Sequence, residues 1–336
     1  MNRKIPELVC PAGNFPALKM AIDHGADTVY IGLKDITNAR NFAGLNFDLK
    51  TAREGIEYAH QRQRKVLMAI NTYAQAGQVE KWHKAIDTAA ELGVDAVILA
   101  DMGMLAYAHK THPELTLHLS VQASATNYEA INLVQDLFAI KRVVLPRVLT
   151  LQQVAHVINN TSVEVEVFGF GSLCVMVEGR CLLSSFATGE SPNTFGVCSP
   201  AKYVRWEKNN DCLNARLNNI LIDKYQLNEP TGYPTLCKGR FNVENEVYYA
   251  LEEPTSLNVL EILPELLNIN VAAIKVEGRQ RSPAYTAQVT QVLRQALDMA
   301  IHEPAKFQVM PCWQQSLAKV SEGQQITLGA YHRPWK

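Results

Sequence analysis

One rhythm constrains this chain more than any other feature. Over about its first 170 residues, short β-branched or apolar runs alternate with segments whose apolar residues recur at helical spacing. Such alternation predicts parallel βαβ units. Glu7–Cys10, Thr28–Ile31, Lys65–Asn71, Ala96–Asp101, Leu117–Val121, Arg142–Leu145 and Val163–Phe168 read as seven strands. Helices are expected between them over Phe15–His24, Leu49–Gln63, Val79–Leu92, Met104–Lys110, Glu129–Phe138 and Leu151–Ile158. Leu18 and Ile22, and likewise Trp82 and Ile86, lie four apart and share a helix face. Gly25 and Gly93 supply stops.

The rhythm breaks at Gly169, and an irregular stretch rich in Gly, Pro, Asn and Cys runs to about Glu253. It resumes with a helix predicted through Leu257, Leu260, Ile262, Leu263 and Leu266, capped by Thr255 or Ser256. Ala272–Glu277 follows as an eighth strand, and Pro283 opens a last helix to Met299. Eight such units close most naturally as a TIM-type (β/α)8 barrel, with an open doubly wound sheet as the alternative. The expected organisation is one barrel domain over residues 1–303, an insertion at 169–253 after strand seven, and a C-terminal tail at 304–336.

Charge excludes some partners. Lys plus Arg number 32 against 33 Asp plus Glu, so no basic excess points to nucleic acid and no polybasic run to a membrane surface. Val94–Ala108, the most apolar stretch, is too short to span a bilayer and carries Asp95 and Asp101. The first ten residues lack the apolar core and cleavage site of a secretory signal, so a cytoplasmic protein is expected. Thiols stay reduced there, and the seven cysteines read as ligands or buried apolar residues rather than disulfides.

A barrel of this kind keeps its chemistry at the C-terminal ends of its strands. The polar residues expected there include Asn38, Arg40, Asn71, Asp101, Gln122, Ser124, Arg147, Glu166, Lys275, Glu277 and Arg279. Arg40, Asn71, Gln122, Arg147, Glu277 and Arg279 form the candidate substrate set, because guanidinium, amide and carboxylate groups together suit a small anionic ligand. A single Asp or Asn at a strand end more often forms a turn or caps a helix, and Lys275 and Glu277 could pair with each other or with Arg147. No catalytic residue is assigned.

Cys174, Cys181, Cys198 and Cys237 follow the spacing C-x6-C-x16-C-x38-C, which matches neither a zinc ribbon nor a bacterial ferredoxin run. Each lies in irregular chain beside Gly, Pro, Ser, Lys or Arg, and Arg180 and Lys238 can offset thiolate charge. Four thiolates without histidine suit zinc or an iron–sulfur cluster. Cys10, Cys212 and Cys312 lack such surroundings and read as structural.

The run Glu166-x-Phe168-x2-Gly171-Ser172-Leu173-Cys174-x4-Gly179-x-Cys181-x-Leu183-Ser184 resembles the signature of the collagenase-like peptidase family of unassigned catalytic type. Cys10-Pro-Ala-Gly-Asn14, Gly25-Ala-Asp-Thr-Val-Tyr-Ile-Gly32 and Lys275-Val-Glu-Gly-Arg279 resemble it too. Asp35-Ile-Thr-Asn-Ala-Arg40, Ser120-Val-Gln-Ala-Ser-Ala-Thr-Asn127, Gly189-Glu-Ser-Pro-Asn193 and Leu251-Glu-Glu-Pro-Thr-Ser256 are similar to a branch that acts in ubiquinone biosynthesis. That resemblance implies a [4Fe-4S] cluster on Cys174, Cys181, Cys198 and Cys237, and a heterodimer with the sister protein UbiV. It further implies oxygen-independent ring hydroxylation, the lipid carrier UbiT as a further partner, and prephenate as oxygen donor. A peptidase-like hydrolase and a non-catalytic, metal-stapled partner subunit are the competing readings; no Ser-His or Cys-His constellation marks a nucleophile.

Overall fold

The structure is a computed structural model and describes residues 5–209 and 211–333. Residues 1–4 of the expected barrel domain, 210 of the insertion and 334–336 of the tail lie outside the described residues.

The expected alternation is present. It runs β1 (Glu7–Pro11), α1 (Phe15–Asp23), β2 (Thr28–Ile31), α2 (Leu49–His60), β3 (Lys65–Ile70), α3 (Glu80–Leu92) and β4 (Ala96–Leu99). Then come α4 (Met102–Thr111), β5 (Leu117–Leu119), α5 (Tyr128–Phe138), β6 (Arg142–Val144), α6 (Leu151–Asn159) and β7 (Glu164–Ser172). Within the insertion lie α7 (Leu183–Thr188), α8 (Pro192–Phe195), β8 (Val204–Asn209), β9 (Cys212–Leu217), β10 (Ile220–Gln226), β11 (Arg240–Val243) and β12 (Glu246–Tyr249). The chain ends with β13 (Ser256–Asn258), α9 (Leu263–Asn268), β14 (Ala273–Val276), α10 (Pro283–His302), α11 (Pro311–Ala318) and β15 (Ile326–Thr327).

β1 to β7 pair in sequence order, all parallel, and β14 closes the ring by pairing parallel to both β7 and β1. The sheet is therefore a closed eight-stranded barrel and not an open doubly wound one. Its strands are buried on both faces, which is why they read as continuous apolar runs rather than alternating ones. Helix starts follow local capping chemistry: Asn14, Asp48, Asp101, Asn127, Thr150 and Ser282 each accept a backbone N–H from the first turn of their helix. Asp101 thus caps α4 and also accepts from Ala74 N, so its place at a strand end serves the frame.

Two expectations need correction, and the tail, which the sequence left unplaced, finds its position. No helix begins at Thr255 or Ser256: that segment forms β13, antiparallel to an extension of β7 through Phe170–Ser172, and α9 starts only at Leu263. A free strand edge with unmet hydrogen bonds outweighs helical spacing here. The insertion is not irregular throughout, because β8–β10 form an antiparallel sheet and β11–β12 a hairpin. Tight turns at Asn218-Asn219 and Glu244-Asn245, with Asn218, Glu244 and Asn245 at positive φ, make those pairings possible. The tail is packed against the barrel domain: Trp313 and Leu317 are buried, and β15 pairs with β13. Among the described residues no helix is long and apolar enough to cross a membrane.

Candidate functional site

All six candidate residues reach one place. Arg40, Asn71, Gln122, Arg147, Glu277 and Arg279 line a single cavity of about 70 Å³ at the C-terminal mouth of the barrel, with Tyr30, Phe168, Glu178 and Lys275. They converge because each follows the end of a barrel strand, where parallel strands aim their exit loops at the same opening.

The three guanidinium groups differ in partner. Arg40 Nε donates to Glu277 Oε1 at 3.2 Å. Arg147 pairs with Glu178 through a short Nη1 contact and lies flat on the Phe168 ring, 3.5 Å from its centroid. Arg279 donates to Asn38 Oδ1 at 3.0 Å and to the carbonyl of Ala39, and its guanidinium carbon is 5.6 Å from the Tyr30 ring centroid. It makes no ion pair with a carboxylate among the described residues, and burial pulls it down to about 10. A buried cation whose only partners are neutral oxygens is the natural anchor for an incoming anion.

The other members hold the frame. Asn71 accepts from Ala39 N at 2.9 Å and donates to Ser120 Oγ at 3.1 Å, so both ends of its amide are spent on fixing the Arg40 loop. Arg40 itself sits at φ 76°, a left-handed conformation that only a firmly held loop sustains. Glu277 accepts from Ser172 N at 3.0 Å as well as from Arg40; burial opposes its charge, but Arg40 and then Arg147 hold it down at about 2. Lys275 pairs with neither Glu277 nor Arg147. Its ammonium donates to Glu166 Oε1 at 2.7 Å inside the barrel, so Glu166, fully buried in mid-strand, is part of the core and not of the mouth.

The insertion is folded over this mouth. Arg40 N donates to Gly196 O, Tyr73 N to Asn193 O, and Ser124 Oγ to Glu178 O. Gly179, at φ 92°, lies so close to the barrel that a Cβ on it would sit 1.9 Å from Gln122 O. Glycine is required there by both conformation and space. Sequence reasoning passed over Glu178; it stands in the family signature between Cys174 and Cys181, but its aim into the cavity depends on this docking.

The four candidate cysteines border the same region. Charge on Cys198 is felt by Cys174 and Cys237, and charge on Cys181 by Cys198 and Cys237. Burial pushes the thiols of Cys174 and Cys198 up and that of Cys237 up to about 11. Despite its own burial, Arg40 is raised by Glu277 and then by Cys198 and Cys174, which ties the thiols to the mouth. Buried thiols that resist ionisation are deprotonated by a bound metal. Among the described residues no three His, Cys, Asp or Glu side chains close on a point where one ion would sit. The donor set could hold a soft metal centre, with Arg40 and Lys238 offsetting thiolate charge. Cys10 is buried against Thr290 Oγ1, Cys212 is buried in β9, and Cys312 is exposed.

Residues 13–334 match peptidase family U32. The tRNA hydroxylation protein P of Helicobacter pylori (strain ATCC 700392 / 26695) is 34% identical over 302 residues, covering 89% of this chain and 66% of the relative. The 23S rRNA 5-hydroxycytidine C2501 synthase of Escherichia coli (strain K12) is 30% identical, covering 88% of this chain and 40% of the relative. A collagenase of Porphyromonas gingivalis (strain ATCC BAA-308 / W83) is 25% identical, covering 95% and 72%. The chain thus spans just under two thirds of the length of the first of these. Family match, barrel and coverage agree: the chain belongs to peptidase family U32, among relatives that include hydroxylation proteins.

Proposed function

We propose that this chain is the iron–sulfur subunit of an oxygen-independent hydroxylase of the UbiU type, acting in anaerobic ubiquinone biosynthesis as a heterodimer with UbiV. One observation carries the reading: a mouth cavity with a buried arginine, Arg279, that makes no ion pair among the described residues, roofed by the insertion that brings in Cys174, Cys181, Cys198 and Cys237. Relatives that hydroxylate RNA support the reaction class. A net charge of −1 argues against a polyanionic substrate for this chain and favours a small molecule. Each of the four thiols acts electrostatically on or is acted on by another of the set, and four thiolates without histidine suit zinc or an iron–sulfur cluster, the latter being what the resemblance implies. Held by Cys174, Cys181, Cys198 and Cys237, such a cluster would have no open iron position and would supply electron transfer.

In this reading Arg279 anchors the carboxylate of the donor, prephenate, while Arg40 and Arg147, already neutralised by Glu277 and Glu178, shape the walls. The cavity is about half the ~150 Å³ that admits a benzene ring. A ring therefore sits across the mouth, beneath the insertion, and only its polar substituents reach into the cavity. UbiT is the lipid-handling partner.

A peptidase reading has one contact in its favour, Ser172 Oγ 2.9 Å from Lys238 Nζ. That lysine is ion-paired with Glu322 at 2.6 Å and the serine hydroxyl donates to the same carboxylate, so neither a free base nor a free nucleophile is present. Anaerobic co-expression with UbiV, followed by mass spectrometry of the quinone precursor, tests the proposal. It requires one added oxygen that depends on both chains and comes from labelled prephenate; an oxygen from water or dioxygen would overturn it.

A further inference from the structure

Three buried polar atoms at the mouth have no hydrogen-bond partner among the described residues: Gln122 Oε1, Arg147 Nε and Glu178 Oε2. Their side chains line one cavity together with Arg279. Buried polar atoms are nearly always satisfied, so a group of orphans on one cavity wall marks where a ligand's own polar groups belong. Their chemistry is specific. Two of the three are acceptors and call for a donor on the ligand, whereas Arg147 Nε and Arg279 call for acceptors. Glu178 is 8% exposed and already holds Arg147 through its other oxygen, so its free oxygen is fixed in place and not free to turn to solvent.

We propose that Glu178 Oε2 accepts the hydroxyl proton of an anionic hydroxy acid whose carboxylate is anchored by Arg279, with Arg147 Nε donating to the hydroxyl oxygen and Gln122 closing the wall beside them. This rests on the anionic-ligand reading above and adds what that reading lacks, a recognition element for the hydroxyl. Glu178 comes from the loop between Cys174 and Cys181, so seating the hydroxyl also fixes that loop against the barrel through the contact of Ser124 Oγ with Glu178 O at 2.7 Å. A deoxy acid would leave Glu178 Oε2 without a donor and Arg147 Nε without an acceptor, and rejecting it is how such a site discriminates.

The test uses anaerobically prepared holoprotein and calorimetric binding of two probe pairs, lactate against propionate and 4-hydroxycyclohexanecarboxylate against cyclohexanecarboxylate. The expected result is that wild type prefers the hydroxy acid of at least one pair by roughly 10- to 150-fold, the range for a hydrogen bond to a charged group. Glu178→Gln should shrink that preference at least tenfold; because it also frees Arg147 from its carboxylate, affinity for both members of a pair rises, and the ratio within each pair is the readout. Gln122→Met, which disturbs no ion pair, should shrink it by a smaller factor and guards against a folding defect in Glu178→Gln. Equal affinities within both pairs in wild type, or an undiminished preference in both variants, overturns the proposal. Arg279→Gln separates the two readings. If it weakens every acid while the Glu178 and Gln122 variants still discriminate, only the hydroxyl assignment fails; if it weakens none, the anionic-ligand reading fails.

Discussion

Removing the positive end of the buried pair beneath the mouth gives the sharpest stability prediction. Lys275 Nζ donates to Glu166 Oε1 at 2.7 Å, and both residues are buried. Replacing Lys275 with Met keeps the length and packing of the side chain but strands Glu166. Breaking a buried pair from one side costs about 3–5 kcal/mol. Arg142 Nη1 remains 3.4 Å from Glu166 Oε2, yet it already serves Glu7 and Glu164, so the lower end, about 3 kcal/mol, is expected. Loss of the ammonium seated 4.0 Å over the Tyr30 ring adds a further ~0.5–1 kcal/mol. The double variant Lys275→Met/Glu166→Leu leaves the pair with no stranded charge and should recover most of the loss, about 2 kcal/mol relative to the single variant. The sign with pH follows. Although burial opposes it, Lys275 and then Arg142 hold Glu166 below the ordinary carboxylate range, so its contribution is present above about pH 4.5 and lost as pH falls through the folded value. Urea denaturation followed by circular dichroism reads these differences. A Lys275→Met loss under 1 kcal/mol, or a double variant no more stable than the single, would refute the reasoning.

Two further outcomes are expected. Burial, then the charge of Arg142, pull His118 at the opposite barrel end down to about 4, so the unfolded chain binds its proton first and stability falls from about pH 6.5 to pH 4 by roughly 3 kcal/mol. His118→Leu should flatten that part of the stability profile, and an unchanged slope between pH 7 and 4.5 counts against it. Gly179→Ala, forced to φ 92° and against Gln122 O, should cost about 1–3 kcal/mol from conformation alone and lower the iron content while the barrel's circular dichroism persists. Wild-type iron and stability in that variant would show that the insertion does not dock as described.

The barrel was legible because its strands are buried on both faces and its helices on one, so the two periods separate cleanly in sequence. The mouth was legible for the same reason: once Ile70, Leu119 and Val276 end their strands, Asn71, Gln122, Glu277 and Arg279 have only one opening to face. Partnership was not legible. Asn71 and Arg279 look alike as strand-end polar residues, but one is a strut for Ala39 and the other a cation without a carboxylate, a difference set by contacts across 32 and 241 positions of chain. Glu178 stayed hidden because its aim follows from a loop docked through a positive-φ glycine. β13 was misread as helix because its partner, the extension of β7, lies more than 80 residues earlier. The tail escaped placement because the buried face of α11 amounts to Trp313 and Leu317 alone.

In the proposed assembly Cys174, Cys181, Cys198 and Cys237 hold one four-iron cluster over the barrel mouth. Iron and acid-labile sulfide analysis of the chain purified anaerobically with UbiV, repeated on each Cys→Ala variant, tests it most directly. About four iron and four sulfide per chain are expected in wild type, with loss of the cluster in every single variant. Undiminished iron and sulfide in all four variants, or a colourless zinc protein in wild type, would contradict it.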